Sequence, residues 1–266
     1  MGRDQQQRQE NLPFSLEPQQ PNGAAVLLVH GFTATPREMR RVAESLAADG
    51  FRTLAVCLPG HGTTPEDLAE RTCEEWLQAV AAGYAELAGH HRVYGVGMSS
   101  GALLLLCAAP RCTFSGLVLL SPYLRLRHRL APLVWLLRYF RPFQHRPLPA
   151  ELRPYYYERR PLAGVHQLQR LIRTTRSLLP QVTAPVLAIA AVEDPTVEPG
   201  SAWQLMQRLG GERREFHLYG PGVGHVLTTR ENPQLADTLM LVSRFLQDLE
   251  RRSGPGGDKC RAPEPR

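Results

Sequence analysis

Ser99 is the residue that most clearly suggests covalent chemistry, because it stands at the centre of the sequence GMSSG, a GxSxG pattern. A strand-like run, Arg92–Val96, precedes the pattern, and an apolar helical run, Ser100–Ala109, follows it. A sharp turn between strand and helix leaves space only for small residues two positions either side of the serine, and Gly97 and Gly101 meet that requirement. The pattern alone also arises by chance in turns rich in Gly and Ser. The flanking runs are therefore what favour a nucleophile elbow, a sharp turn between a strand and a helix that presents the serine.

A serine hydroxyl needs a base to become a nucleophile, and the usual base is a histidine held by a carboxylate. Asp194 lies just past the strand-like run Val186–Ala191, and His225 lies in a glycine-rich loop past the next one, Arg214–Tyr219. The carboxyl ends of parallel strands meet at one edge of a sheet, where such sites are built. The order serine, aspartate, histidine along the chain is the one that a GxSxG elbow requires. The sequence therefore predicts Ser99, Asp194 and His225 as a catalytic triad.

Two neighbouring residues offer alternatives for these roles. Glu193 stands beside Asp194, which is favoured because it precedes Pro195, where the strand has already ended. His61, in the loop sequence PGHG, is a candidate supporting group near the site, whereas His225 is favoured as the base. The remaining candidates are predicted to be surface or lid residues: His90, His91, His128, His145, His166 and His217.

The third requirement is a pair of donors for the oxyanion that forms when serine attacks a carbonyl group. The backbone N–H of Ser100, directly after the nucleophile, is predicted to be the first donor. The second is predicted to be the backbone N–H of Phe32, in the loop HGFT that follows the apolar run Ala24–His30. Gly31 in this loop permits the close backbone approach that an oxyanion hole needs.

Strand-like and helical runs alternate along the chain, which predicts a mainly parallel central sheet flanked by helices, an α/β fold. Short apolar runs without period-two alternation indicate strands buried on both faces. Pro13–Glu17 is a candidate edge strand. The predicted strands are Ala24–His30, Arg52–Leu58, Arg92–Val96, Ser115–Leu120, Val186–Ala191 and Arg214–Tyr219, and the predicted helices are Pro36–Asp49, Cys73–Leu87, Ser100–Ala109, Gly200–Leu209 and Asn232–Leu249.

Changes of composition divide the chain into five segments. Residues 1–23 form a flexible N-terminal segment rich in Gln and Pro, and 253–266 form a disordered tail. Residues 24–121 and 181–252 are the two parts of the α/β core. Residues 122–180 interrupt the alternation with two or three helical pieces and no strand-like run, which predicts a helical, arginine-rich lid inserted between strands.

Charge is concentrated in that lid. The 266 residues contain 31 Lys+Arg and 25 Asp+Glu, a net charge of +6. The lid has 12 arginines and two glutamates, a net charge of +10, so the rest of the chain carries −4. A basic total therefore gives no indication of nucleic-acid binding, for which no motif is present. The arginines suit a phosphate or carboxylate substrate or weak contact with an anionic membrane surface, and an ordinary solvated basic face is an equal alternative.

Other classes are excluded or disfavoured by composition. The five cysteines are odd in number and form no CxxC pair, so neither a disulfide framework nor a metal site is predicted, and no cofactor is expected. The polar N-terminus lacks the apolar core of a secretory signal. No apolar run reaches the roughly 18 residues of a membrane span. A soluble cytoplasmic protein is the expectation.

Taken together, these motifs resemble the α/β-hydrolase superfamily, and within it the bacterial carboxylesterase and monoacylglycerol lipase-like group, whose relatives include serine aminopeptidase-like hydrolases. The resemblance covers about residues 13–250 and is carried by HGF, PGHG, GMSSG, ED and GHV. It implies the α/β-hydrolase fold, the roles given above for the triad, and the N–H groups of Phe32 and Ser100 as oxyanion donors. Ser100 is a departure, since the group often has Leu, Met or Gln there, and the lid matches no motif.

The resulting hypothesis is a serine hydrolase that cleaves small-molecule carboxylic esters through an acyl-enzyme. One alternative is a lysophospholipase or acyl-thioesterase acting on anionic acyl substrates. Another is a catalytically inactive hydrolase-fold binding protein. An aminopeptidase is disfavoured because a substrate ammonium group calls for carboxylates in the lid. The stretch Leu124–Phe143 is apolar and aromatic, which suits either covering an acyl chain or packing on the core.

Overall fold

The structure is a computed structural model that describes residues 11–127, 133–148, 152–153 and 156–252. The predicted disordered tail, His128 and residues 1–10 of the predicted flexible N-terminal segment lie outside these residues. The strands are β1 (Phe14–Leu16), β2 (Ala24–Val29), β3 (Arg52–Val56), β4 (Arg92–Met98), β5 (Gly116–Leu120), β6 (Phe143–His145), β7 (Arg159–Pro161), β8 (Val186–Ala191) and β9 (Arg214–Tyr219).

Seven of these strands form one sheet in the order β1-β3-β2-β4-β5-β8-β9. β1 pairs with β3 in antiparallel fashion, and the other neighbours in this sheet are parallel. Every residue of β2, β5 and β8 is buried, as expected for apolar strands covered on both faces. The predicted α/β fold with a mainly parallel sheet is confirmed, and so is the edge strand within Pro13–Glu17.

Helices cover both faces of the sheet, and their bounds are α1 (Arg40–Ala48), α2 (Pro65–Glu70), α3 (Cys73–Leu87), α4 (Ser100–Ala108), α5 (Val134–Phe140), α6 (Leu162–Leu178), α7 (Pro199–Gln207) and α8 (Leu235–Arg252). Residues of α3, α4 and α6 pack in one apolar cluster, and residues of α1 and α8 pack in the cluster on the opposite face. No helix within the described ranges has the length and apolar character needed to cross a membrane.

Local sequence explains where several of these helices begin and end. Thr72 and Glu75 form a capping box at the start of α3, in which each side chain accepts the other residue's backbone N–H. Gly50 has φ of 92° directly after α1, a conformation that favours glycine. α8 begins at Leu235 rather than at the predicted Asn232, because the Asn232 side chain accepts the Gln234 N–H at 2.9 Å before the helix starts.

The segment between β5 and β8 differs from its prediction in one respect. It contains the helices α5 and α6, but it also contains β6 and β7, which pair antiparallel as a separate two-stranded ribbon. The prediction that 122–180 has no strand was therefore wrong. Three-residue strands are too short to show alternation, and Pro142 and Pro147 near β6 and Pro161 within β7 read as breakers. The division of the chain into core and lid stays a prediction.

Candidate active site

Ser99 occupies the turn between β4 and α4 with a strained backbone. Its φ of 55° and ψ of −113° lie in a region that residues with a side chain rarely adopt. A Cβ atom on Gly97 would lie 2.5 Å from the backbone carbon of Gly101, and one on Gly101 would lie 2.2 Å from the carbonyl oxygen of Val29. The two glycines are therefore small for the steric reason predicted.

The predicted triad residues lie together in the structure. Nε2 of His225 is 2.8 Å from Oγ of Ser99, and Nδ1 of His225 is 2.6 Å from Oδ2 of Asp194. The other carboxylate oxygen of Asp194 accepts the backbone N–H groups of Thr196 and Val197 at 2.7 and 3.0 Å. Burial acts to raise the pKa of Asp194, but the hydrogen bond and charge of His225 outweigh it, so the pKa lies below its ordinary value. Asp194 is thus held as an anion facing the imidazole.

The loop that carries His225 is tied down by two further contacts. The Ser121 hydroxyl, just past β5, donates to the carbonyl oxygen of His225 at 2.6 Å. Glu193 is exposed, and its carboxylate accepts the Gly222 N–H at 2.9 Å. Glu193 therefore faces the backbone of the loop, and it is Asp194 that meets the imidazole.

The predicted oxyanion loop lies directly against the elbow. A Cβ atom on Gly31 would lie 3.5 Å from Cβ of Ser99 and 3.6 Å from the carbonyl oxygen of Met98. Phe32 follows Gly31, and Ser100 is the first residue of α4, where unpaired N–H groups and the helix dipole favour negative charge. The structure thus places the loop that carries Phe32 against the turn that carries Ser99 and Ser100.

Glu38 is a buried acid at this loop that the sequence analysis missed. Its Oε2 accepts the Gly31 N–H at 2.6 Å, and its Oε1 accepts the hydroxyl of Tyr156, from the insertion, at 3.1 Å. Burial raises the pKa of Glu38 to about 7. The carboxyl group joins the oxyanion loop to the insertion. The one available signal was an acid placed beside Met39 on the buried side of a helical run.

Two buried histidines, His30 and His61, belong to the packing around Phe32. Their ring centroids are 5.0 Å apart, and the His61 ring also packs against Phe32 and Trp76 at 6.0 and 5.8 Å. Burial lowers the pKa of His30 to about 4 and that of His61 to about 3, so both are neutral at pH 7. Nε2 of His30 accepts the Leu58 N–H at 3.1 Å. These contacts place His61 near the site but away from the hydroxyl of Ser99.

A solvent-open pocket of about 290 Å³ borders the histidine loop and the insertion. Arg146, Leu148 and Tyr156 of the insertion line one side, and Val226, next to His225, lines the other. Among the residues that the structure describes, no group of three or more His, Cys, Asp or Glu side chains is arranged to hold a metal ion.

Comparison with known proteins agrees with this fold. The family model described as the alpha/beta hydrolase family matches residues 26–238. A thermostable monoacylglycerol lipase from Bacillus sp. (strain H-257) is 32% identical over 91% of this chain and 95% of its own length. The chain therefore belongs to the alpha/beta hydrolase family, and the resemblance drawn from its motifs is confirmed.

Two further similarities are more distant. A carboxylesterase from Bacillus subtilis (strain 168) is 25% identical over 85% of this chain and 93% of its own length. One solved structure, reported for the metagenome-derived lipolytic enzymes LipS and LipT, has a TM-score of 0.80 and 23% identity over 90% of this chain and 98% of its own. The structural similarity supports the fold.

Proposed function

We propose that this protein is a serine hydrolase that cleaves carboxylic esters through an acyl-enzyme. The observation that carries the proposal is the continuous series Asp194–His225–Ser99, joined at 2.6 and 2.8 Å. The names of the relatives, a monoacylglycerol lipase and a carboxylesterase, support the same reaction. The complete series disfavours the alternative of an inactive binding protein.

The proposed reaction begins with Ser99. Its Oγ bonds to the acyl carbonyl carbon while Nε2 of His225 takes the hydroxyl proton. Asp194 holds the imidazole in orientation and stabilises its positive charge. The imidazolium then gives the proton to the alcohol oxygen as the bond between that oxygen and the carbonyl carbon breaks. Water next attacks the acyl-enzyme, His225 takes its proton, and the acid leaves as Ser99 regains its hydrogen.

The proposed oxyanion donors are the backbone N–H groups of Phe32 and Ser100. Negative charge develops on the carbonyl oxygen as Ser99 attacks, and fixed donors stabilise it without reorganisation. The rings of His61 and Trp76 against Phe32, and the Glu38 carboxyl on the Gly31 N–H, hold the loop that presents the first donor. The second donor is fixed by α4.

We also propose weak contact between the insertion and an anionic membrane surface. Trp135, Tyr139 and Phe140 on α5 are 51%, 70% and 80% exposed, an unusual apolar set for a surface helix. Arg138 and Arg141 accompany them and would meet lipid phosphates. At low salt, the wild-type protein should sediment together with phosphatidylglycerol vesicles. The Phe140→Ser variant should stay in the supernatant. Equal binding to phosphatidylcholine vesicles would contradict the anionic preference.

The compartment proposed for this reaction is the cytoplasm. Cys57, Cys73, Cys107 and Cys112 are all free thiols in the structure, and burial raises the pKa of each. Such thiols are inert and compatible with reducing surroundings. Localisation of a tagged chain by fractionation tests this proposal, and recovery in a secreted fraction would contradict it.

The function is tested with p-nitrophenyl esters of increasing acyl length and with monoacylglycerols. The wild-type protein should hydrolyse at least one of these series, and Ser99→Ala should remove all measurable turnover. Ser177→Ala, on the exposed side of α6, is the matched control and should keep full activity. No turnover that depends on Ser99 on any ester would overturn the proposal.

A further inference from the structure

Two arginines of the insertion project from the same face of its ribbon. Arg160 on β7 pairs with Gln144 on β6, and the Arg146 N–H continues the ladder by donating to the carbonyl oxygen of Glu158 at 2.7 Å. Residues two apart on a strand share a face, as do directly paired residues. Arg146 and Arg160 are therefore diagonal neighbours on one face, close enough for their charges to repel.

Arg160 is a charge without a counter-ion among the described residues. Its Nε is shielded from solvent and has no hydrogen-bond partner there. Burial lowers the pKa of its guanidinium to about 10, and Arg146 adds to the lowering, yet it remains a cation at pH 7. Arg159, next to it on the opposite face of the ribbon, is exposed and donates to Glu66 at 2.7 Å. A shielded cation left unpaired costs free energy, which a ligand of opposite charge would offset.

The charge of Arg160 also acts on Tyr123, a buried residue close to the nucleophile. The phenol of Tyr123 is buried, and burial raises its pKa, while the charge of Arg160 and a hydrogen bond from Ser99 act in the opposite direction. Tyr123 is therefore influenced both by the charge of Arg160 and by the hydroxyl of Ser99. Arg146 lines the pocket that Val226, the neighbour of His225, also lines. Arg146 therefore borders a pocket next to the His225 loop, and Arg160 is its diagonal neighbour on the same ribbon face.

Two of the acids near this pair have other partners. Glu158 shares the ribbon face but accepts from Arg153 at 3.1 Å. The Glu38 carboxyl interacts with the charge of Arg146, but its oxygens bind Gly31 and Tyr156, and its raised pKa of about 7 keeps much of it neutral. Glu231 is an exposed residue on the pocket wall. Glu151 lies outside the described residues.

We propose that Arg160, with Arg146 beside it, forms a subsite for an anionic group on the substrate, a carboxylate or a phosphate close to the scissile ester. This inference rests on the proposed ester hydrolysis and narrows its substrate class to acyl esters that carry such a group. A guanidinium offers paired donors that match the oxygens of both groups. The subsite accounts for the placement of two like charges where repulsion between them opposes folding.

The test compares matched neutral and anionic esters. On the acyl side the pair is p-nitrophenyl hexanoate and mono-p-nitrophenyl adipate, and on the alcohol side it is monolauroylglycerol and its phosphate monoester. Arg160→Gln should lower kcat/KM for the anionic member of the preferred pair about 10- to 100-fold and for the neutral member less than about 3-fold. Arg159→Gln, the control from the opposite ribbon face, should leave kcat/KM unchanged for both the anionic and the neutral ester. The pair that responds shows which side of the ester carries the anion.

The outcomes separate this inference from the proposed function. Equal losses on neutral and anionic esters in Arg160→Gln, with Ser99-dependent hydrolysis intact, would overturn the subsite alone. No Ser99-dependent hydrolysis of any of the four esters would overturn the proposed function. If Arg160→Gln does not fold by thermal melting, Arg160→Lys and Arg146→Gln replace it, and each should show a smaller loss confined to the anionic esters. A loss shared by both ester types in these variants would also overturn the subsite.

Discussion

The site at the sheet edge and the ribbon above it treat their charged groups in opposite ways. At the sheet edge, the Asp194 carboxylate faces three donors, from Thr196, Val197 and His225. On the ribbon, Nε of Arg160 is shielded from solvent and has no partner among the described residues. A satisfied charge is fixed for one task, such as orienting an imidazole, whereas an unsatisfied one is open to a ligand. Under the two proposals, the core carries the reaction and the insertion selects what reacts.

The rest of the insertion strengthens this contrast. Several of its arginines are paired with acids of the core, as with Arg125 on Glu198, Arg159 on Glu66 and Arg170 on Glu74. Exposed pairs of this kind contribute little stability and leave little charge for a substrate. The net charge of +10 counted from the sequence therefore overstates the charge that the insertion has available for a substrate.

The largest expected effect comes from neutralising Asp194, the carboxylate that is fully hydrogen-bonded. Asp194→Asn should lower kcat about 10³- to 10⁴-fold, because the amide no longer stabilises the imidazolium and favours the wrong tautomer. Glu193→Gln, one residue away, is the control and should change kcat less than about 2-fold, since its carboxylate binds only the Gly222 N–H. Steady-state kinetics on one p-nitrophenyl ester measures both. Equal effects would remove the distinction between these two carboxylates.

The second effect concerns the stability of the elbow. Gly101→Ala places a Cβ atom 2.2 Å from the carbonyl oxygen of Val29 and 2.8 Å from that of His30, so the backbone must shift. The expected loss in the free energy of unfolding is about 1–3 kcal/mol or more. Gly200→Ala, in α7 with nothing within 4 Å of the added atom, should be neutral or slightly stabilising. Urea denaturation measures both, and an unchanged midpoint for Gly101→Ala would contradict the packing described.

The third effect appears where the two regions meet, at Glu38. Burial raises its pKa from 4.5 to about 7, so the folded protein holds this proton more tightly than the unfolded chain. Its contribution to stability is therefore present below pH 4.5 and is lost as the pH rises through about 7, by up to about 1.4 kcal/mol per pH unit. Glu38→Gln keeps the shape and should remove this part of the pH dependence. Unfolding curves for both proteins between pH 4.5 and 8 test it, and parallel curves would contradict it.

The smallest effect belongs to the exposed pairs of the insertion. Arg170→Gln breaks an exposed pair with Glu74 and should change the free energy of unfolding by less than about 1 kcal/mol. Added salt should reduce even that difference. A larger change would mean that the paired arginines hold the insertion on the core and are not simply solvated.

Local patterns in the sequence explain why much of this site was predictable. The GxSxG turn, the strand ends before Asp194 and His225, and the buried apolar runs are each encoded within about ten residues, so spacing and periodicity reveal them. Glu38, Tyr123 and Arg160 were not predicted because their roles depend on contacts between residues far apart in the sequence, such as the bond from Tyr156 to Glu38. The ribbon of β6 and β7 was missed for the same reason, since its paired residues stand far apart in the sequence.

The central claim, that Ser99 is a nucleophile activated by His225, is tested most directly by mass spectrometry after reaction with a fluorophosphonate. A phosphonyl adduct is expected on the tryptic peptide that runs from Val93 to Arg111, and its fragment ions should place the adduct on Ser99 rather than on Ser100. His225→Ala should slow labelling by orders of magnitude, and Ser99→Ala should abolish it. An adduct on another residue, or labelling at the same rate without His225, would contradict the account.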